Sequence, residues 1–199
     1  MFTHKYNNYT IFCQEFGPMA NFSYIIADHA TAKAAVIDPA WEVGKIISLL
    51  QQQQLTLDKV LLTHSHYDHI NGLDELFMHI SKVPLYLSRQ EADFWQVSHS
   101  SAVTLLQDSQ IELGNTNIEM IHTPGHTPGS VCYKVGNNLL TGDTLFLNGC
   151  GRCDLRGGDA GVLYTSLDKL KHSLSTDINI FPGHNHYCEH TTDWQLQLS

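Results

Sequence analysis

The chain contains no uninterrupted apolar segment of the roughly 18 residues that a membrane-spanning helix requires, so we expect no membrane partner. It is also poor in positive charge, because 11 Lys and Arg residues stand against 20 Asp and Glu residues. Nucleic-acid-binding proteins usually carry a basic surface, and the net charge of -9 therefore argues against nucleic acid as a partner. Residues 1–8 show no apolar stretch typical of a signal peptide, so we expect a cytoplasmic protein.

Cysteines and linker-like segments are also scarce. An odd number of cysteines, five, in a chain for which we expect no signal peptide predicts free thiols. Cys150 and Cys153 form one C-x-x-C pair, but a zinc ribbon needs a second pair, which the sequence lacks. No Pro- or Ser-rich linker and no internal repeat is evident. We therefore expect residues 1–199 to form a single domain.

Apolar periodicity predicts strands that alternate with helices. Residues 21–27 and 34–38 are short apolar runs that predict a hairpin. Helical spacing of apolar residues predicts two longer helices, one from Trp41 onward and one over 163–174. The other predictions are strands at 59–63, 84–87, 117–122, 130–135, 138–140 and 178–181, and short helices at 73–80 and 89–95. This order suits an α/β protein with two sheets and outer helices, a four-layer αββα sandwich.

The densest cluster of candidate ligands is Thr63-His64-Ser65-His66-Tyr67-Asp68-His69, which directly follows a predicted strand. It therefore lies on a loop at a strand end. Imidazoles and carboxylates are ligands that suit zinc, iron or manganese. Packing alone does not explain so many of them together, because each buried imidazole must be hydrogen-bonded.

Three more strand ends carry a candidate ligand after a glycine: His126 in TPGHTPGS, Asp143 in TGD and His184 in PGH. Each motif alone is a weak signal, and their repetition makes it strong. The full set, which fits two metal ions, is His64, His66, Asp68, His69, His126, Asp143 and His184.

We assign His64, His66 and His126 to one ion, Asp68, His69 and His184 to the other, and Asp143 to a bridging position. Asp68 is in addition the candidate catalytic residue. A water molecule between two such ions would lose a proton near neutral pH. No serine or cysteine nucleophile is then required.

The motifs THSHYDH, TPGHTPGS, TGDTLF and PGH resemble those of the metallo-β-lactamase superfamily and occur in the same order. The resemblance covers residues 21–184. It implies an αββα sandwich with the metal ions at one edge of the sheets. It also implies two divalent ions as cofactors, with zinc expected and iron or manganese as alternatives.

Within the superfamily, GDTLF followed by GCGR resembles the glyoxalase II group, which hydrolyses S-D-lactoylglutathione and related thioesters. The implied activity is hydrolysis of a small-molecule thioester. Arg152 matches a basic residue of that group, and Tyr187 lies one position after the place where the group has a tyrosine, so both are candidate substrate-binding residues. Asp154 and His186 stand where the group has tyrosines that contact glutathione. Residues 185–199 leave no room for the group's C-terminal helical domain, so we expect that domain to be absent.

Other activities share these motifs. The GCGR-x-D stretch also resembles persulfide dioxygenases, in which one iron would use only His64, His126 and Asp143. The stretch also resembles small zinc hydrolases that are encoded with polyketide synthases. The implied substrate of that group is an acyl thioester on a carrier protein, so a carrier protein is an alternative partner. Nuclease and lactamase activities use the same kind of site, and the GCGR stretch and the acidic charge argue against them. A module that only binds a metal or a partner is also disfavoured.

Overall fold

The structure is a computed structural model that describes residues 1–96, 102–105 and 108–185. One sheet has seven strands in chain order. The first four pair antiparallel, and the fourth to the seventh pair parallel. The strands are β1 (Phe2–Lys5), β2 (Tyr9–Phe16), β3 (Asn21–Asp28), β4 (Lys33–Ile37), β5 (Thr56–Leu61), β6 (Leu85–Ser88) and β7 (Ala102–Leu105).

The strands of the second sheet are β8 (Gln110–Leu113), β9 (Thr116–His122), β10 (Val131–Val135), β11 (Asn138–Gly142) and β14 (Asn179–Pro182). Their order in the sheet is β14-β11-β10-β9-β8, and β11 and β14 pair parallel while the other neighbours pair antiparallel. A small ribbon is formed by β12 (Leu145–Phe146) and β13 (Gly149–Cys150). The helices are α1 (Val43–Gln52), α2 (Tyr67–Ile70), α3 (Leu73–His79), α4 (Arg89–Trp95) and α5 (Ala160–Ser173).

Three apolar clusters separate four layers. Side chains of β2 and β3, such as Ile11 and Phe22, meet those of β9 and β10, such as Met120 and Tyr133, between the sheets. A second cluster packs α1, α3 and α4 against the first sheet, and a third packs α5 against the second sheet. The predicted αββα sandwich is therefore confirmed. Within the described residues, none of the helices has the length and apolarity needed to cross a bilayer.

Most predicted elements agree with the structure to within a few residues, including the β3–β4 hairpin and α4. The elements that were not predicted are strands β1, β2, β7, β8, β12 and β13 and the short helix α2. Six of the eight positions in β2 are buried, and they lie on both faces, because the strand is covered by the other sheet and by helices. A strand buried on both faces shows no alternation that periodicity could detect.

The topology brings six strand ends to one edge of the sandwich. Strands β4, β5 and β6 are parallel in the first sheet, while β9, β11 and β14 run in a common direction in the second. The two sheets are tied there by a backbone bond from Val131 N to Thr63 O, 2.9 Å. The hydroxyl of Tyr133 also donates to Leu62 O across the sandwich, 2.8 Å. Loops that follow these strands therefore meet at one place.

Candidate metal centre

All seven predicted ligands converge at this edge. We call His64, His66 and His126 the first group, and Asp68, His69 and His184 the second group. In each group the potential ligand atoms all lie within 4.8 Å of one another. His126 Nε2 is 2.9 Å from His66 Nδ1. His69 Nε2 is 3.1 Å from His184 Nε2.

Asp143 stands between the two groups. Its Oδ2 lies 3.6 Å from His126 Nε2 in the first group and 3.3 Å from His184 Nε2 in the second. Its Oδ1 lies 3.3 Å from His69 Nε2. The carboxylate thus faces both groups, which is the arrangement expected of a residue that bridges two cations.

The outward ring nitrogen of four imidazoles is fixed by an oxygen. His126 Nδ1 contacts Arg152 O at 2.6 Å, and His184 Nδ1 contacts Met19 O at 2.9 Å. A carbonyl oxygen only accepts, so these rings carry hydrogen on Nδ1. In the neutral ring Nε2 then offers a lone pair to the centre, as histidine ligands of metals do.

Asp38 holds one imidazole of each group. Its Oδ2 accepts from His69 Nδ1 at 3.0 Å and from Thr63 Oγ1 at 2.6 Å. Thr63 Oγ1 has therefore donated its proton, and it accepts from His64 Nδ1 at 3.0 Å. A further bond runs from Thr63 N to Asp38 Oδ1 at 2.8 Å. One buried carboxylate thereby orients His69 directly and His64 through Thr63.

Two buried atoms show that the centre suits a cation. His64 Nε2 and Asp143 Oδ1 are shielded from solvent, and neither forms a well-aligned hydrogen bond with the described residues, although His69 Nε2 lies 3.3 Å from Asp143 Oδ1. A buried acceptor without a partner costs about 1–3 kcal/mol. Both atoms lie among the other ligand atoms of the two groups, most of which are also lone-pair acceptors. A divalent cation can contact several acceptors at once, so it satisfies them better than another side chain would. The residues present therefore fit a metal ion of the zinc, iron or manganese type.

Ionisation differs between the groups. Burial lowers the pKa of the His64 ring well below its ordinary value, and burial with the neighbouring His126 lowers the pKa of His66 to about 4. Burial also lowers the pKa of His69 and of His184, but carboxylates together outweigh it: Asp143 and Asp38 for His69, and Asp143 and Asp68 for His184. The pKa of His69 is raised well above its ordinary value, and that of His184 is raised to about 9. Carboxylates thus dominate the electrostatics of the second group.

Asn21 fixes Asp68. The amide Nδ2 of Asn21 donates to Asp68 Oδ2 at 2.8 Å, and its Oδ1 accepts from Trp41 Nε1 at 2.9 Å. Burial opposes ionisation of Asp68, but hydrogen bonds from His184 and Asn21 hold its pKa well below the usual range. Asp68 is therefore an ionised, oriented carboxylate, and its catalytic role stays a prediction.

Glycines allow the loops to approach one another. A Cβ atom on Gly183 would lie 2.2 Å from Asp143 Oδ1, and one on Gly142 would lie 2.4 Å from Thr63 Oγ1. Gly142 also has a φ of +49°, a conformation that disfavours other residues. These glycines precede Asp143 and His184, so the glycine-then-ligand pattern has a steric reason.

The two predicted substrate-binding residues have different outcomes. The Arg152 guanidinium lies on the surface and forms two bonds with Asp154, at 2.8 and 2.7 Å. The side chains are 62% and 67% exposed, and only the carbonyl of Arg152 contacts the centre. Binding of substrate by Arg152 stays a prediction. Tyr187 lies outside the described residues.

Sequence patterns did not identify Asp38 or Asn21 as part of the centre. Asp38 precedes a proline and reads as a turn, and its φ of +49° agrees with that. Asn21 begins a strand, and nothing in its local sequence signals a contact with Asp68, 47 residues away. Both belong to the site only through the tertiary fold.

A family model described as the metallo-beta-lactamase superfamily matches residues 16–199. This chain belongs to that superfamily. The resemblance inferred from the motifs is thereby confirmed. Superfamily membership, together with the His and Asp clusters, supports a metal-dependent hydrolase that binds divalent ions.

Two curated superfamily members illustrate the range of relatives. The Bacillus subtilis "Probable polyketide biosynthesis zinc-dependent hydrolase PksB" is 38% identical over 165 residues, which cover 83% of this chain and 73% of that protein. The Arabidopsis thaliana "Hydroxyacylglutathione hydrolase cytoplasmic" is 33% identical over 175 residues, which cover 83% of this chain and 64% of that protein.

A solved structure shows the same fold. ETHE1 from Myxococcus xanthus superposes with a TM-score of 0.80 at 29% identity, over 91% of this chain and 77% of that one. The αββα sandwich of this protein is thus the fold of its superfamily.

Proposed function

We propose that this protein is a dinuclear metal-dependent hydrolase of acyl thioesters. The observation that carries the proposal is the convergence of the two groups on Asp143. The first group would hold one cation, the second group the other, and Asp143 would contact both. When bound, two divalent cations lower the pKa of a water molecule and polarise a carbonyl oxygen, which is the chemistry that ester and thioester hydrolysis need.

The residues of the chain supply orientation. Asp38, Arg152 O and Met19 O hold imidazoles with their Nε2 atoms turned inward, and Asn21 holds Asp68. Such outer contacts are typically worth about 10- to 100-fold in metal affinity or activity. A thiol has a pKa of about 8.5, so a thiolate leaves without help from a strong acid. The centre therefore needs no additional proton donor for a thioester.

The relatives support zinc and a thioester. PksB is named as a zinc-dependent hydrolase of polyketide biosynthesis, and the Arabidopsis relative as a hydroxyacylglutathione hydrolase. We therefore propose two zinc ions as the cofactors. Glutathione carries carboxylates, whereas a pantetheine arm does not. Because Asp154 already occupies the Arg152 guanidinium, a pantetheine-type thioester is the better candidate of the two.

The test compares three substrates with one enzyme preparation. Release of thiol is measured with S-D-lactoylglutathione and with an acyl pantetheine thioester, and oxygen uptake is measured with glutathione persulfide. We expect metal-dependent thiol release that is faster with the pantetheine thioester. Oxygen uptake without thiol release would contradict hydrolysis and favour the mononuclear iron dioxygenase.

A further inference from the structure

Glu91 is buried beside the metal centre, although the proposed chemistry makes no use of it. It lies in the first turn of α4 and is 1% exposed. Its spacing from Ser88 is that of a capping box, in which the glutamate would turn back to the helix end. Half of that motif is present, because Glu91 N donates to Ser88 Oγ at 3.0 Å. The carboxylate, however, contacts two other loops.

Within the described residues, four hydrogen bonds reach the Glu91 carboxylate. Oε1 accepts from Ser65 N at 2.7 Å and from Ser65 Oγ at 2.5 Å. Oε2 accepts from Thr127 Oγ1 at 2.7 Å and from Gly129 N at 3.0 Å. Each oxygen therefore binds one loop, and the carboxylate joins the two.

These are the two loops that carry the first group. Ser65 lies between His64 and His66, and Thr127 directly follows His126. Across the loops, His66 Nδ1 and His126 Nε2 are only 2.9 Å apart. The spacing of these ligand atoms thus depends on how the loops are held together.

The start of α4 is pressed against the second loop. Ser88 Oγ donates to Gly129 O at 2.6 Å, and a Cβ atom on Gly129 would lie 2.0 Å from Glu91 N. The glycine permits this close approach. The helix therefore acts as a fixed support from which Glu91 reaches both loops.

We propose that Glu91 is a positioning residue that sets the separation of the two loops and hence the affinity of the first group for its cation. The inference rests on the proposed metal centre, and Glu91 itself contacts neither cation nor substrate. Two of its partners are backbone N–H groups, which can only donate, and a carboxylate can only accept. A glutamine places an NH2 group at one of the oxygens, so at least one donor would face another donor.

Asp28 offers a matched control. It too is 1% exposed and accepts from two backbone N–H groups, those of Thr31 and Asn115, and from two hydroxyls, those of Thr31 and Thr116. It ends β3, which begins at Asn21 beside the centre. Seven strand residues at about 3.3 Å each place it roughly 23 Å away.

The experiment measures zinc affinity of the apoprotein by competition with a chromophoric chelator, for wild type, Glu91→Gln and Asp28→Asn. We expect Glu91→Gln to lower the affinity for one of the two zinc ions by about 10- to 100-fold and to leave the affinity for the other unchanged. Asp28→Asn should lower the thermal midpoint but keep both affinities. In a His66→Ala background, Glu91→Gln should not lower the affinity for the remaining zinc ion further.

Thr127→Val provides a second variant if Glu91→Gln does not fold, because it removes one donor and keeps the carboxylate. It should lower the affinity for the same zinc ion, but to a smaller extent. Wild-type affinities in both Glu91→Gln and Thr127→Val, or an equal loss in Asp28→Asn, would overturn the proposal. A wild-type protein that binds two zinc ions but releases no thiol would contradict the proposed function and leave this test intact.

Discussion

The first and second groups contain similar residues but are held in different ways. The first group consists of imidazoles. The backbone carbonyl of Arg152 holds His126, and the hydroxyl of Thr63 holds His64. The second group contains a carboxylate, Asp68. Side chains hold two of its members, Asp38 for His69 and Asn21 for Asp68, while Met19 O holds His184. The same residue type therefore behaves differently in the two groups, as the opposite pKa shifts of His66 and His184 show. We therefore expect the geometry of the loops to control the affinity of the first group for its cation, and charge to control the affinity of the second group.

The largest effect should come from removal of a ligand in the first group. We predict that His66→Ala lowers kcat by at least ~10³-fold and halves the metal content, because one of three ligands is lost. The measurements are thiol release and metal analysis. His172→Ala is the control, since this exposed ring on α5 contacts Asp168 and lies outside both groups. Full activity in His66→Ala would remove the first group from the mechanism.

An intermediate effect should come from Asp38→Asn, which keeps the shape and removes the charge. We predict a loss of zinc affinity of about 10- to 100-fold at the second group, where Asp38 contacts His69 directly. The loss at the first group should be smaller, because His64 reaches Asp38 only through Thr63. Chelator competition measures both affinities, with Asp28→Asn as the control. Equal losses at the two groups would show that Asp38 does not distinguish them.

The sequence predicted the seven candidate ligands because each lies in a short motif at a strand end, where a local pattern is visible. It also predicted the layers, since α1 and α5 show clear helical periodicity. Asp38, Asn21 and Glu91 were missed for a common reason. The local pattern around each residue, a turn at Asp38, a strand start at Asn21 and capping-box spacing at Glu91, describes the backbone conformation correctly. It does not show which loops the side chains contact. Such contacts follow only from the packing of two sheets.

The smallest effect concerns the surface next to the first group. Asp154→Asn should free the Arg152 guanidinium, so that it can bind a carboxylate bidentately. Because the pair is exposed to solvent, we predict only about a two- to fivefold lower KM for S-D-lactoylglutathione and no change for a pantetheine thioester. Steady-state kinetics on both substrates measure this. An unchanged KM for both would place Arg152 outside the binding surface.

The central claim is that each group holds one cation, with Asp143 between them. Titration of the apoprotein with zinc, followed by metal analysis after gel filtration, tests this most directly. The account predicts close to two zinc ions per chain in wild type and close to one in His66→Ala. A stable value of zero in wild type would contradict the metal centre itself, and a value of one would contradict its dinuclear form.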